Sequence, residues 1–424
     1  MISRRQLIHR AAPALLLPLA GRVRAEGLTA ERKFLFIVCN GGYDPTFVFA
    51  PLYDVASVDM ESDSTRAELH GLPFVDHADR PSVRAFFEAY GDRAAILNGL
   101  ESPSITHDRC MKLLLTGTAD TASDDWGSII AAHSVNDLVL PFVVLSGFAF
   151  NERYASEVVR VGPTGQIKKL IEGTAISDGA DSPISLLSEA GQAEVARVLA
   201  GRIDAYAAAA ERGRAERFGA AYARSHAQVG AVLGRAEELG IGKLGTPASR
   251  LGFDDFASAL DLLESGSARC VSLSYNGVYS MGFDTHSFIE FQSMHHEELF
   301  SFLIDLMGEM DRRSSPTAGR LSDEVVVVVY SEMGRGPLLN GTGGKDHFPF
   351  TSAMLLGPGI RGGQAVGAFG DAAYGLPIDF ATGEPAESGA VPHTRDLGAT
   401  LLALADVDPG EALDGARPIE ALFS

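Results

Sequence analysis

Five segments place an aspartate, glutamate or histidine in a loop beside an apolar run, and these are the first candidates for chemistry. They are Asn40-Gly41-Gly42-Tyr43-Asp44, Ser104-Ile105-Thr106-His107-Asp108, Gly282-Phe283-Asp284-Thr285-His286, Ser331-Glu332-Met333-Gly334-Arg335 and Gly343-Gly344-Lys345-Asp346-His347. Carboxylates and imidazoles converging from separate loops suit one or two divalent metals such as zinc or manganese. A two-metal site needs roughly six to eight such ligands, with bridging carboxylates holding the ions ~4 Å apart. Such a centre clamps phosphoryl or sulfuryl oxygens and lowers the pKa of a bound water or hydroxyl. Taken singly, each residue has a plainer reading, because an aspartate after a strand is usually a turn residue or a helix N-cap. Arg335 reads equally as a clamp on an anionic oxygen or as a surface ion pair. Lys345 reads as a similar clamp or, more simply, as a rim residue, and Asn340 and Ser331 as candidate substrate donors.

The elements that must carry these loops are visible as apolar runs. Phe34-Leu35-Phe36-Ile37-Val38-Cys39, bounded by Asn40-Gly41-Gly42, reads as a buried central strand. Ala94-Ala95-Ile96-Leu97, the run 141–145 and the run 270–275 read likewise. The five valines Val325 to Val329 cannot alternate between a wet and a dry face, so both faces of that strand must be buried. A further strand is expected at 352–356. Helices are expected at 108–115, stopping near Gly117, at 288–312 and at 395–405. In the long one, Phe291, Met294, Leu299, Phe302, Leu303 and Leu306 recur at helical spacing. Between about 182 and 265 Ala, Arg, Glu and Leu dominate, which reads as an inserted helical subdomain. Strands alternating with helices predict an α/β fold, a three-layer αβα sandwich around a mostly parallel sheet. Sites in such sheets form outside the carboxyl ends of the strands.

Composition narrows the partners. The chain has 424 residues, with 35 Lys+Arg and 55 Asp+Glu, a net charge of −20. That acidity argues against coating nucleic acid or an anionic membrane. Residues 1–25 run the other way, with Arg4, Arg5, Arg10, Arg22 and Arg24 and no acid. Ser3-Arg4-Arg5-Gln6-Leu7-Ile8 resembles a bacterial twin-arginine export signal. An apolar stretch at 11–20, too short to span a bilayer, and Val23-Arg24-Ala25 complete the pattern. Removing 25 residues carrying +5 leaves 399 at −20 − 5 = −25. The expectation is a periplasmic or extracellular protein, handed to the twin-arginine machinery and not inserted in a membrane afterwards. The three cysteines, Cys39, Cys110 and Cys270, read as buried free thiols.

The motifs GGYD, FDTH, SEMGR and GTGGKDHF, together with the export signal, resemble the exported DUF1501 family, grouped with the alkaline-phosphatase/sulfatase superfamily. They span about residues 34–404, with 148–269 unmatched. The resemblance implies a mostly parallel sheet between helices, with two divalent ions, zinc, manganese, magnesium or calcium, at the strand carboxyl ends. By motif it implies Asp44 as the first metal-binding aspartate, usually bridging both ions. Asp284 with His286, Glu332, and Asp346 with His347 would be further ligands. His393, ahead of a helix containing Asp396, falls at a short sulfatase-like motif and is a further candidate. One position departs from the superfamily. Counting back ten residues from Gly117 lands on His107, where relatives carry a serine or a formylglycine precursor; Cys110 is three residues late. His107 is then a ligand, general acid or nucleophile, or Thr106 shifts in as nucleophile. The expected function is hydrolysis of a small anionic phosphate or sulfate ester. The alternative is a non-catalytic metal or ligand-binding protein on the same fold.

Several signals point elsewhere and are set aside. Gly357-Pro358-Gly359-Ile360-Arg361-Gly362 matches a dinucleotide fingerprint, but no helical face follows it. Gly343-Gly344-Lys345 lacks the first glycine and the Ser/Thr of a phosphate loop. His295-His296-Glu297-Glu298 lacks zinc-protease spacing and reads as a solvated helix face. No G-x-S-x-G elbow is present.

Overall fold

Continuous apolar strands can only be stable when covered on both sides, and the chain supplies helices for both. The computed structural model describes residues 28–120, 122–160, 188–209, 256–411, 413 and 415–424. The stretch 1–25 and residues 182–187 and 210–255 of the expected insert lie outside the described residues. In chain order the strands are β1 (Lys33–Cys39), β2 (Thr65–Leu69), β3 (Leu72–Asp76), β4 (Ala94–Glu101), β5 (Phe142–Val144) and β6 (Val158–Arg160). They continue with β7 (Cys270–Tyr275), β8 (Val325–Ser331), β9 (Gly334–Arg335), β10 (His347–Phe348), β11 (Phe350–Leu356) and β12 (Gln364–Val366). The α-helices are α1 (Pro81–Tyr90), α2 (His107–Thr116), α3 (Trp126–Ala132), α4 (Glu189–Ala209), α5 (Phe256–Glu264), α6 (Phe291–Arg312) and α7 (Thr394–Leu404).

Eight strands form the central sheet in the order β12-β4-β11-β8-β1-β7-β5-β6. The run β8-β1-β7-β5-β6 is parallel throughout, and β12 is parallel to β4. Only β11 runs antiparallel, to β8 on one side and β4 on the other. Alternate residues of β1 feed separate cores. Leu35, Ile37 and Cys39 pack with Phe86 of α1, Leu263 of α5 and Phe300 of α6. Phe34, Phe36 and Val38 pack with Leu114 of α2, Trp126 of α3 and Leu401 of α7. The valines split the same way, Val325, Val327 and Val329 to the first core and Val326 and Val328 to the second. The result is the expected αβα sandwich with a mostly parallel sheet.

Local signals hold at helix ends. Gly117 closes α2 in the left-handed conformation (φ 68°), at no Cβ cost. Cys39, Cys110 and Cys270 are free and buried, as the sequence suggested. The tail of the expected insert, α5, lies in the main core, with Ala259, Leu260, Leu262 and Leu263 buried. One expectation fails. His295 and His296 have 0% exposure, on the buried side of α6 among Tyr43, Phe49, Phe283 and Phe300. Two imidazoles were read as polar, but an aromatic-rich core accepts them as neutral rings; burial pushes the His295 pKa down to about 4. Among the described residues no helix is long and apolar enough to cross a membrane.

Candidate metal centre

Sheet direction decides which loops can meet. The carboxyl ends of β1, β4, β7 and β8 share one edge. Because β11 is reversed, it is the loop before β11, not the one after it, that reaches this edge. The Gly343-Gly344-Lys345-Asp346-His347 loop therefore arrives beside Glu332, pinned by the β9–β10 pairing of Arg335 with His347. The glycine-rich turn after β11 lies at the opposite edge, with Gly357 against the Val325 carbonyl at the start of β8. Two glycines permit the close approach of the site loops. A Cβ on Gly41 (φ +103°) would stand 2.6 Å from the Asp284 nitrogen, and one on Gly344 would stand 2.3 Å from the His286 carbonyl oxygen.

Three imidazoles turn Nε2 inward around the Asp284 carboxylate. His107 Nε2 is 3.4 Å from Asp284 Oδ2; His286 Nε2 and His347 Nε2 lie 3.3 and 3.2 Å from Asp284 Oδ1. His286 Nε2 and His347 Nε2 are 3.0 Å apart. Each ring is fixed from behind through Nδ1: His107 to Glu332 Oε1 (2.7 Å), His347 to the Ile105 carbonyl (2.8 Å) and His286 to Asp346 Oδ1 (3.0 Å). With a cation present, the carbonyl and carboxylate partners would hold the proton on Nδ1 and turn the Nε2 lone pairs toward the ion. Ligand atoms of His107, Asp284 and His347 all lie within 4.8 Å of one another.

The charges around this group are coupled. The Asp284 carboxyl is held well below the usual carboxylate range, first by His107, then by Arg335 and His347. His107 is raised to about 9, by its bonds to Asp284 and then Glu332. Asp346 is lowered by Asn340 and His286. Without a cation, a histidine proton balances the carboxylates.

The other expected residues occupy supporting places. Glu332 is buried; its Oε1 also accepts the Gly41 N–H at 2.8 Å, and its Oε2 accepts the Ser331 hydroxyl at 3.0 Å. Arg335, read as an anion clamp or a surface ion pair, turns inward. Its guanidinium donates to the Gly41 carbonyl, to the Gly42 carbonyl (2.9 Å), to the Lys345 carbonyl (3.2 Å) and to Asp284 Oδ1 (2.7 Å). Lys345, read as a rim residue, is 1% exposed and pairs with fully buried Asp44. Asn340 donates to the His286 carbonyl and Asp346, each at 3.0 Å. His393 is the N-cap of α7; its ring accepts the Arg395 N–H, and its backbone N–H donates to the Asp396 carboxylate. Thr106 is the exposed N-cap of α2, directly before His107. Cys110 is buried and its thiol is pushed up by desolvation, so it does not act as a thiolate. Sequence reasoning missed Gln292. This buried amide accepts the Asp44 N–H (2.9 Å) and donates to the Phe283 carbonyl (2.8 Å) and Thr285 hydroxyl (3.0 Å). A glutamine inside a helix carries no motif that would reveal it.

Fold and site together define an α/β protein with a candidate metal centre at the carboxyl edge of its sheet. A family model described as "Protein of unknown function (DUF1501)" matches residues 256–417. That span holds Asp284, His286, Glu332 and His347; Asp44 and His107 lie before it. No curated protein matches the chain by sequence. Similar solved structures include a protein in the alkaline phosphatase superfamily from Vibrio parahaemolyticus, at 10% identity over 96% of this chain and 76% of that one, with a TM-score of 0.36. A sulfatase from Pseudoalteromonas sp. is 10% identical over 100% of this chain and 80% of its own, TM-score 0.37. A phosphonate monoester hydrolase from Silicibacter pomeroyi is 11% identical over 92% and 76%, TM-score 0.39.

Proposed function

We propose that the protein is an exported metal-dependent hydrolase of small phosphate or sulfate esters. The observation that carries the reading is the inward set of imidazole nitrogens around Asp284, each fixed through its far nitrogen. His107 Nε2 is buried and aimed into the group, 3.4 Å from Asp284 Oδ2. The residues therefore fit a divalent ion, with His107, Asp284 and His347 as ligands and His286 beside them. An imidazole-rich set favours zinc over magnesium or calcium. A divalent ion there would supply a Lewis-acid charge for the ester's anionic oxygens and lower the pKa of water.

The chain's own groups do the rest. Glu332, Asp346 and the Ile105 carbonyl orient the rings. Arg335 fixes Asp284 and the Gly41-Gly42 turn from beneath. The side chains of Asp284 and His286 are 42% and 46% exposed, so a small ester can approach from solvent. No hydroxyl or thiol is bonded to the side chains of His107, Asp284, His286 or His347 among the described residues. Thr106, beside His107, and Thr285, between Asp284 and His286, are the hydroxyl residues adjacent in sequence, and the Thr285 hydroxyl accepts from Gln292. Metal-stripped protein, reloaded with zinc or manganese, should hydrolyse some members of a panel of aryl phosphate, phosphodiester and aryl sulfate esters. Protein that binds metal yet turns over none of them would favour the ligand-binding reading.

The basic residues 1–25 support export through the twin-arginine route. Arg4→Lys with Arg5→Lys should leave the precursor inside the cell in a fractionation experiment; unchanged export would reject this route.

A further inference from the structure

We infer that the centre takes one divalent ion, because Asp44, the residue that the motifs assign to joining two ions, is committed to Lys345. This rests on the metal-centre reading above and deepens it. Both oxygens of Asp44 already face partners within the chain, one by hydrogen bonds and the other by an ion pair. Its Oδ1 accepts the Thr46 N–H at 2.9 Å and the Thr46 hydroxyl at 2.7 Å. Its Oδ2 faces Lys345 Nζ at 2.8 Å, and the two side chains are 0% and 1% exposed. Lys345 Nζ also donates to Thr46 Oγ1 at 3.1 Å.

A second ion at Asp44 would have to displace this ammonium or stand beside it. In a buried region little solvent screens a divalent charge from an ammonium, and stripping either member from a buried pair leaves an uncompensated charge. The lysine thus supplies, from within the chain, the positive charge that Asp44 requires. The pair is also built into the frame of the centre. The Lys345 carbonyl accepts from Arg335, which holds Asp284. The Asp44 N–H is held by Gln292, which braces Phe283 and Thr285 on either side of Asp284. Among the described residues, the group of His, Cys, Asp and Glu atoms close enough to share an ion is that of His107, Asp284 and His347, and it excludes Asp44.

The test is metal stoichiometry, read without any activity assay. Stripped protein is equilibrated with zinc, passed through a desalting column and analysed for zinc per chain by atomic emission. The wild type should retain one ion, and Asp44→Asn should also retain one. If the lone ammonium prevents Asp44→Asn from folding, the double variant Asp44→Asn/Lys345→Met removes both charges together and should retain one. Two ions in the wild type would overturn the inference, whether or not Asp44→Asn then loses one. No ion in the wild type would instead remove the metal-centre reading itself, so the two failures are distinguishable.

Discussion

Asp284→Ala should abolish metal retention and lower kcat/KM on the best ester by at least roughly a thousand-fold, while the protein stays folded. Asp284 is the carboxylate around which the His107, His286 and His347 nitrogens gather. Without it the imidazoles keep their Nδ1 partners but lose the one anion at their centre. A neutral three-nitrogen set binds a divalent ion more weakly, and losing ligand and Lewis acid together removes both charge stabilisation and water activation. The fold should tolerate the change, because the side chain is 42% exposed and Arg335 retains three carbonyl partners. Metal analysis, circular dichroism and steady-state kinetics on one preparation check this. Turnover within ten-fold of wild type with metal absent would show that the chemistry lies elsewhere.

Arg335→Met should be the most destabilising single change at the site, by about 3 kcal/mol or more, because each buried acceptor left unpaired costs about 1–3 kcal/mol. Its side chain is 0% exposed and serves three carbonyls and one carboxylate. Methionine fills similar volume but leaves those acceptors unpaired in a dry interior. Arg335→Lys should rescue little, because an ammonium cannot reproduce the guanidinium fork. Denaturant unfolding of the metal-free proteins measures the difference. A midpoint shift equivalent to less than about 0.5 kcal/mol, the scale of an ordinary surface substitution, would show that Arg335 does not hold the loops.

Much of the frame was legible in sequence, for stated physical reasons. Val325 to Val329 and Phe34 to Cys39 read as doubly buried strands because an unbroken apolar run has no wet face to offer. Asp284, His286 and His347 were legible as strand-edge residues. The direction of β11 was not legible, since an apolar strand reads alike both ways. Yet that reversal is why His347, before the strand, enters the site. Lys345 was misread because a lysine between glycines and an aspartate looks solvated, and its partner lies 301 positions earlier in sequence (345 − 44). Glu332 was read as a ligand from its position; only side-chain geometry shows that its Oε1 also meets His107 Nδ1. Arg335 shows the same limit, since its sequence position says nothing of which way the fork points.

The site is also a statement about folding order. His107 meets Glu332 across 225 positions, and Arg335 meets Gly42 across 293. Such closures are slow and come late, because loop entropy is lost before the contact repays it. A folded N-terminal half holds His107 alone, and a folded C-terminal half holds Asp284, His286 and His347 without it, so neither completes the centre. An ion held here would therefore report on completed topology and act as a latch upon it. At a free concentration a thousand times its Kd it would add about 4 kcal/mol to the stability of the finished fold, and less to intermediates that lack His107.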